Sequence, residues 1–276
     1  MPFLYKTALV TGATSGIGRA LTERLVNHGV FVIAAGRRKD RLDELVKKHG
    51  KGKVAAEAVD VSNLAALSSW AEKLITTYPA LDAVFLNAGV QHIFDVTSPT
   101  ASSSDSLSRL TDEVTLNYLS PLHTTLLLLP HLRSLAAKGT PTAVILTSSG
   151  LALVPMHLYP NYCASKAAIH SLAWQIRTQL ALEAEKTKET NPEATSVRII
   201  DIIPPAVQTE LGNTSGAAPF GVPLDQYIEE LWSDLEKGVD YEILAGHRDE
   251  FRHIEDERKK VYAQIVEYTK HMSVDH

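Results

Sequence analysis

Short apolar segments alternate with longer segments of helical period along most of this chain, and this alternation constrains its fold more than any other feature. The apolar segments are continuous and rich in β-branched residues, which is typical of strands covered on both faces of a sheet. Right-handed crossovers between such strands build a parallel sheet with helices on both sides. We predict strands at residues 7–10, 30–35, 54–59, 81–86, 143–147 and 197–202, and helices at 16–28, 39–49, 63–78, 105–136 and 161–185.

The length of the chain, 276 residues, can be accommodated in one large α/β domain. We therefore predict a single domain over residues 1–276, with a doubly wound parallel sheet in a three-layer α/β/α arrangement. Residues 205–237 are expected to form a substrate-binding loop, whose stretch 212–223 is rich in Gly, Ala and Pro. Residues 249–272 predict an amphipathic helix, either docked on the domain edge or forming a subunit contact.

Composition excludes several other classes of protein. The formal net charge is −5, from 27 basic and 32 acidic residues, which leaves no basic field for non-specific binding of nucleic acid. A single cysteine, Cys163, excludes an internal disulfide and a cysteine-based zinc site, and we expect no metal. No segment approaches the ~20 apolar residues that span a bilayer, and no secretory signal pattern is present. We expect a cytoplasmic protein that binds neither nucleic acid nor membrane.

A glycine-rich turn, TGATSGIG at residues 11–18, joins the first predicted strand to the first predicted helix. Glycines in such a turn let the backbone approach a pyrophosphate, and the helix N-terminus supplies free N–H groups and a positive dipole end. The alternative is a purely structural tight turn. The candidate cofactor contacts here are Gly12, Thr14, Ser15, Gly16, Ile17 and Gly18.

The second predicted strand ends in AGRR, with no acid to accept a hydrogen bond from an adenosine 2′-hydroxyl. Arg37 could instead bind a 2′-phosphate through two parallel hydrogen bonds, with Arg38 beside it. This favours NADP(H) over NAD(H), although both arginines could simply begin a solvated helix. Two later strand ends add candidate contacts to the adenine and the cofactor ribose: Asp60, Val61, Asn87, Ala88 and Gly89.

A tyrosine and a lysine four residues apart, Tyr162 and Lys166, open the last long predicted helix and share one of its faces. A nearby ammonium group lowers a tyrosine pKa from its usual ~10, so Tyr162 is a candidate proton donor and acceptor. Ser149 ends a predicted strand at the carboxyl edge of the sheet, where ligands bind in open α/β folds. Each residue alone has an ordinary structural explanation, but their joint order in the sequence favours a catalytic role.

In order and spacing, these motifs resemble the short-chain dehydrogenase/reductase family, in its ordinary-length form with one Rossmann-type domain. The resemblance covers about residues 5–210 and implies an oxidoreductase with a nicotinamide cofactor. It implies that Tyr162 is the catalytic acid and base, that Ser149 orients the substrate oxygen, and that Lys166 binds the nicotinamide ribose. It also implies that Asn117 holds a water of the proton relay through its backbone carbonyl.

Pro121 offers a local reason for that role of Asn117. Proline has no N–H, so Pro121 cannot donate to the carbonyl four residues earlier, which belongs to Asn117. We hypothesise that this carbonyl stays free for a water near Lys166. The alternative is an ordinary proline kink with a solvated asparagine.

The segment after the last long strand matches the family in part. The resemblance implies cofactor contacts from Pro204, Val207 and Thr209, with Thr209 at the nicotinamide carboxamide. Pro205 departs from the family's usual glycine. Because proline fixes φ and removes a donor, the backbone path near the nicotinamide is expected to differ here.

We predict an NADP(H)-dependent carbonyl reductase or alcohol dehydrogenase that reduces a moderately hydrophobic ketone or aldehyde. The predicted substrate pocket is mostly apolar and comprises Leu151, Pro155, Met156 and Tyr159, together with Val207 and the 212–223 loop as a lid. One alternative is a non-catalytic NADP-sensing or scaffold protein on the same fold. Another is an epimerase or dehydratase, for which the ~70 residues after Thr209 offer too little chain for a second domain.

Oligomers are common in the family, through paired long helices, so the resemblance implies a homodimer or homotetramer. The helices concerned would be 105–136 and 161–185. Trp174 could anchor that contact or belong to the core, since large aromatic side chains serve both places.

Overall fold

The computed structural model describes residues 3–188, 196–212, 220–238, 241–247 and 249–269. Within them, seven strands form one sheet in the order β3-β2-β1-β4-β5-β6-β7, and every neighbouring pair is parallel. The six predicted strands all form, each within two residues of its predicted bounds. The strands are β1 (Thr7–Thr11), β2 (Phe31–Gly36), β3 (Val54–Ala58), β4 (Ala83–Leu86), β5 (Ala143–Thr147), β6 (Arg198–Ile202) and β7 (Glu242–Ile243).

Helices cover both faces of the sheet. One apolar cluster joins the sheet to α1, α2 and α7, and a second joins its other face to α3, α5 and α6. This confirms the predicted three-layer α/β/α fold. The helices are α1 (Gly16–Asn27), α2 (Lys39–His49), α3 (Leu67–Thr77), α4 (Ser104–Val114), α5 (Ser120–Ala136), α6 (Pro160–Lys188), α7 (Leu224–Lys237) and α8 (Asp249–Thr269).

The order of the strands reverses between β1 and β4. After β1 the chain runs outward to β2 and β3, and it then returns to place β4 on the other side of β1. At such a reversal the loops leave the sheet in opposite directions, which opens a crevice at the carboxyl ends of the strands. The glycine-rich turn follows β1 and the Asn87-Ala88-Gly89 segment follows β4, so both line this crevice.

The predicted helix over 105–136 is interrupted. A π-helical turn, Thr115–Leu119, separates α4 from α5, and the Ser120 N–H donates to the Thr115 carbonyl five residues earlier. Pro121 follows directly and has no N–H for the usual ladder, which gives a physical reason for the irregular turn. The apolar periodicity predicted the helical segment but did not predict this break.

The segment 205–237 is only partly a loop. Its second half is the 14-residue helix α7, which buries one apolar face against the sheet. The Gly- and Pro-rich start of the segment obscured this helix, although Tyr227, Ile228, Leu231 and Leu235 recur at helical spacing. The short strand β7 was also missed. Residues 213–219 of the predicted lid and 270–272 of the predicted last helix lie outside the described residues.

α8 packs across the outer face of α6. The Trp174 and Tyr262 rings lie 5.0 Å apart, and Arg258 stacks over the indole at 5.1 Å. Trp174 is 7% exposed, so in this structure it belongs to the core beneath α8, and the alternative of a subunit anchor is wrong. None of the described helices is both long and apolar enough to cross a membrane.

Candidate active site

The turn after β1 contains three glycines at which a side chain would be strained or would clash. Gly12 and Gly16 have φ of +70° and +52°, in the left-handed region. A Cβ atom on Gly18 would lie 2.4 Å from the Gly12 carbonyl oxygen and 2.5 Å from the Asn87 amide nitrogen. Gly18 therefore does not face the crevice, and its role is to let α1 pack against the strand ends.

The ends of β1 and β4 are tied together behind this turn. The Thr11 hydroxyl accepts hydrogen bonds from the backbone N–H groups of Asn87, at 3.1 Å, and Ala88, at 3.2 Å. Small residues follow at once, so the backbone at Ala88 and Gly89 is open to the crevice. This narrow, backbone-lined cradle beside a helix N-terminus fits the pyrophosphate and ribose of a dinucleotide.

Three arginines, Arg37, Arg38 and Arg41, lie at the end of β2 and the start of α2, beside the cradle. Arg38 donates to the Thr14 hydroxyl from Nε at 3.0 Å and from Nη2 at 2.8 Å. Its Nη1 pairs with Glu210 at 3.0 Å, and Arg41 Nη1 pairs with the same carboxylate at 2.7 Å. Arg37 also lines the cavity. The sequence analysis missed both Arg41 and Glu210; the position of Arg41 one helical turn after Arg37 was the available signal.

Ser149, Tyr162 and Lys166 converge on one cavity. All three are buried, with 7%, 6% and 4% of their surface exposed. The Lys166 ammonium donates to the Thr147 carbonyl at 2.8 Å and lies 5.6 Å from the centre of the Tyr162 ring. The Ser149 oxygen accepts from the Leu151 N–H at 3.1 Å. These groups come from β5 and α6, at the carboxyl edge of the sheet, as the strand order requires.

The neighbouring serine has a different partner. The Ser148 hydroxyl donates to the buried Asp201 carboxylate at 2.9 Å, and its backbone N–H also reaches that carboxylate at 3.2 Å. The Ser148 hydroxyl is thus already engaged in a hydrogen bond within the protein. The hydroxyl of Ser149 is the one beside Tyr162, since a hydrogen bond between their side chains acts on the Tyr162 pKa.

Burial dominates the protonation of the two ionisable groups. It raises the pKa of Tyr162 well above its usual range, and the hydrogen bond with Ser149 opposes this only in part. Burial likewise lowers the pKa of Lys166 to about 8, although the negative charges of Asp201 and Glu113 act to raise it. The expectation that the ammonium lowers the tyrosine pKa is therefore not met in this structure, because desolvation of the phenolate dominates and the opposing contribution comes from the hydrogen bond with Ser149.

The side chain of Asn117 braces the site from behind. Its Oδ1 accepts from the Val90 N–H at 2.9 Å, and its Nδ2 donates to the Val90 carbonyl at 2.8 Å and to Ser165 Oγ at 3.2 Å. Asn117 thus joins the loop after β4 to α6, and it does not line the cavity. The hypothesis about its backbone carbonyl and Pro121 stays a prediction.

A second brace, which the sequence analysis missed, is the fully buried carboxylate of Glu113. It accepts hydrogen bonds from the His92 N–H at 2.9 Å and from the Asn161 side chain at 2.7 Å. Asn161 directly precedes Tyr162, so this contact fixes the start of the helix that carries the phenol. Glu113 lies near the end of α4 beside other polar residues, and its residue type gives no sign that it is buried.

One cavity of about 1200 Å³ runs through the whole site. Leu151, Met156 and Tyr159 line it as predicted for a substrate pocket, but Pro155 is exposed and does not, because its turn points it to solvent. Residues 220–223 of the predicted lid also line it, and unpredicted lining comes from Leu158, His247 and Phe251. The predicted cofactor residues that line it are Gly12, Thr14, Ser15, Gly16, Ile17, Arg37, Arg38, Asp60, Val61, Asn87, Ala88, Gly89, Tyr162, Lys166, Pro204, Val207 and Thr209.

Pro205, which stands where the family usually has glycine, also lines this cavity, and its ring lies against Gly246. Between residues 204 and 212 the chain forms the wall opposite the glycine-rich turn. Thr209 reaches across to Gly16, at 3.2 Å from the position a Cβ there would take. As for metals, the described part of the chain contains no group of three or more His, Cys, Asp or Glu side chains arranged to hold an ion.

Comparison with known proteins agrees with this geometry. Residues 6–219 match the family described as short chain dehydrogenase. A protein of Bacillus subtilis strain 168 named uncharacterized oxidoreductase DltE is 34% identical over 263 residues, which cover 91% of this chain and 94% of that protein.

Two solved structures share the fold. One is the 3-ketoacyl-(acyl-carrier-protein) reductase from Brucella melitensis complexed with NADH, with a TM-score of 0.63 and 25% identity over 75% of this chain and 77% of that one. The other is a short chain dehydrogenase from Burkholderia cenocepacia in complex with NADP, with a TM-score of 0.71 and 23% identity over 96% of this chain and 99% of that one. The family match spans most of the chain, and it confirms the resemblance drawn from the motifs: this chain belongs to the short-chain dehydrogenase family of oxidoreductases.

Proposed function

We propose that the chain is an NADP(H)-dependent oxidoreductase that reduces the carbonyl group of a moderately hydrophobic ketone or aldehyde. The observation that carries this proposal is the convergence of Ser149, Tyr162 and Lys166 on one cavity with the glycine-rich cradle. The chemistry that the nicotinamide supplies when bound is hydride transfer to or from the substrate carbon. The chain itself would bind, orient and exchange the proton.

Tyr162 would hold and donate the proton. Its raised pKa keeps the hydroxyl protonated at neutral pH, which suits a general acid that protonates a carbonyl oxygen during reduction. Ser149 would donate a second hydrogen bond to the same oxygen, because its hydroxyl lies beside Tyr162 and its oxygen already accepts from the Leu151 N–H. Together they would stabilise negative charge developing on that oxygen.

Lys166 would hold the cofactor ribose and supply positive charge. At pH 7 a group with a pKa of about 8 is mostly protonated, so its ammonium adds a positive field beside the phenol. Its anchoring to the Thr147 carbonyl fixes its position on the strand end. Asn117 would act indirectly, by holding the loop after β4 against α6.

Arg37 and Arg38 support NADP(H) over NAD(H), because both lie at the end of β2 with no acidic residue between strand and helix. The apolar lining of Leu151, Met156 and Tyr159 supports a hydrophobic substrate. A single domain, a cytoplasmic location and a homodimer or homotetramer belong to the same proposal.

The test is NADPH consumption with a panel of ketones and aldehydes, followed by absorbance. We expect Tyr162→Phe to lower kcat by about 10²–10⁴-fold, the usual contribution of a positioned general acid. Tyr268→Phe serves as the matched control, because Tyr268 is 83% exposed on α8 and remote from the cavity. Turnover by Tyr162→Phe at the wild-type rate would contradict the proposal, and NADPH binding without any turnover would favour a sensing or scaffold role.

A further inference from the structure

We propose that Glu210 competes with the cofactor's 2′-phosphate for Arg38 and Arg41, and that this residue thereby sets how strongly the protein prefers NADP(H). The inference rests on the proposed function, because it assumes that a nicotinamide dinucleotide binds in the cradle. It concerns a residue on the wall opposite the one that carries the arginines.

Glu210 bridges the two walls of the cleft. It begins a 3₁₀ turn, Glu210–Gly212, beyond β6, whereas Arg38 and Arg41 belong to the start of α2. One carboxylate oxygen lies 3.0 Å from Arg38 Nη1, and the other lies 2.7 Å from Arg41 Nη1. The hydrogen bond from Arg41, followed by that from Arg38, holds the pKa of Glu210 below its usual range. Both oxygens are thus engaged as a bound anion's would be.

The arginine site does not depend on Glu210 for its shape. Arg38 is held by two hydrogen bonds to the Thr14 hydroxyl and by another to the Ser15 hydroxyl. Arg41 also donates to the Thr14 carbonyl, at 3.3 Å. If the Glu210 carboxylate left, the two guanidinium groups would remain as a preformed anion site at the end of β2. That is the strand end beside which a dinucleotide's adenosine ribose binds in this fold.

A phosphate is the stronger ligand for such a site. It carries about −1.5 to −2 charges at neutral pH and offers three acceptor oxygens, whereas Glu210 carries one charge and is 57% exposed. Exposed ion pairs contribute little to stability, so Glu210 can be displaced at low cost. NADPH must displace it, and NADH, which has no 2′-phosphate, need not. Glu210 therefore weakens NADPH binding selectively.

The test measures dissociation constants by calorimetry for NADPH, NADH, adenosine 2′,5′-bisphosphate and adenosine 5′-monophosphate, using the full-length protein. We expect Glu210→Gln to bind NADPH and the bisphosphate about three- to fivefold more tightly, because one opposing charge and one competing ion pair are removed. NADH and the monophosphate should change less than about twofold.

Two further variants make the test specific. Glu229→Gln is the matched control, since Glu229 is an exposed carboxylate paired with Arg24 on α1 and does not line the cavity. In an Arg41→Gln background, the gain from Glu210→Gln should shrink, since the two residues are coupled. Suppose that wild type binds NADPH but that Glu210→Gln leaves the dissociation constants unchanged, or changes those of NADPH and NADH equally. The role of Glu210 is then refuted, and the proposed function is not affected. If wild type binds neither dinucleotide, the proposed function fails and this inference with it.

Discussion

At the scale of single residues, Gly18 shows how a missing side chain can decide whether the cofactor cleft exists. A methyl group at this position would lie 2.4 Å from the Gly12 carbonyl oxygen and 2.5 Å from the Asn87 amide nitrogen. Neither neighbouring atom can move away without shifting the backbone, because Gly12 is part of the turn and Asn87 directly follows β4. Any accommodation must move one wall of the cradle relative to the other.

We therefore expect Gly18→Ala to weaken NADPH binding by at least about tenfold and to lower thermal stability, since overpacking a tight contact costs about 1–3 kcal/mol. Calorimetry and thermal melts measure the two effects. Gly52→Ala is the control, because nothing lies within 4 Å of a Cβ at Gly52 and its φ is not in the left-handed region. Wild-type affinity in Gly18→Ala would show that the cleft tolerates the shift.

Sequence motifs predicted the residues of the site better than their partners. Tyr162, Lys166 and Ser149 follow from short local patterns, because helical spacing and strand ends place them in a known way. Glu210 and Arg41 meet only after the chain has returned through β6, 169 residues apart in sequence. No local pattern contains that contact. The prediction that Pro155 lines the pocket was wrong, because no local pattern shows that its turn leaves it exposed.

At the scale of secondary-structure elements, three elements meet at a buried histidine. His170 of α6 lies 2.7 Å from the Asp201 carboxylate of β6 and 3.3 Å from the Glu255 carboxylate of α8, and all three side chains are fully buried. Arg258 also reaches Glu255, at 3.4 Å. Burial lowers the pKa of His170, but the hydrogen bond to Asp201 and the ion pair with Glu255 prevail and raise it to about 9.

This histidine makes stability depend on pH. A folded-state pKa raised from 6.5 to about 9 gives a stabilisation that is fully present below pH 6.5 and is lost as the pH rises through 9. The loss is on the order of 3 kcal/mol. The lowered pKa of Lys166 acts in the opposite direction, adding stability as the pH rises above about 8. Comparing variants that all retain Lys166 removes that contribution.

Urea unfolding between pH 6.5 and 9.5 tests this role. We expect His170→Gln to be less stable than wild type at pH 6.5, with the difference narrowing towards pH 9.5. His131→Gln is the control. Because burial lowers the pKa of His131, its titration contributes no stabilisation that is lost at high pH, so the difference between this variant and wild type should not narrow towards pH 9.5. A difference between wild type and His170→Gln that stays constant at every pH would mean that the histidine acts through shape alone.

Elements were predicted where the periodicity was uninterrupted. The six predicted strands and the helices α1, α2 and α6 follow from apolar runs and helical spacing. Two elements, the π-helical turn at Thr115–Leu119 and the helix α7, were not predicted, and the reasons are opposite. The turn keeps the apolar pattern while changing the hydrogen-bond ladder, and α7 begins in a stretch whose glycines and prolines are typical of a loop.

At the scale of the whole molecule, α8 closes one side of α6 within the same chain. Glu255 meets His170, Tyr262 meets Trp174, and Lys259 pairs with Glu242 of β7 at 2.9 Å. Phe251, from the start of the same helix, lines the cavity. The last helix, which lies beyond residues 6–219 that match the family, therefore joins one wall of the cavity to the outer face of α6.

Because α8 covers one side of α6, less surface remains for contacts between copies of the chain. The Trp174 side of α6 is covered, whereas Leu107 on α4 and Leu126 on α5 are 53% and 55% exposed. A second apolar face lies on α8, where Val261 and Ile265 are 57% and 54% exposed. The proposed homodimer or homotetramer would bury one of these two surfaces. We favour α4–α5, because the family resemblance implies pairing through the long helical segment 105–136 and Leu107 and Leu126 leave apolar surface exposed there.

Light scattering at micromolar concentration distinguishes the two faces. We expect wild type to have a dimeric or tetrameric mass and Leu126→Glu to have a smaller one, because a buried, unpaired carboxylate opposes association. Ile265→Glu should keep the wild-type mass. If Ile265→Glu dissociates instead, α8 forms the subunit contact, and a wild-type mass of one chain would contradict association altogether. Activity measured on the same samples would show whether turnover depends on association.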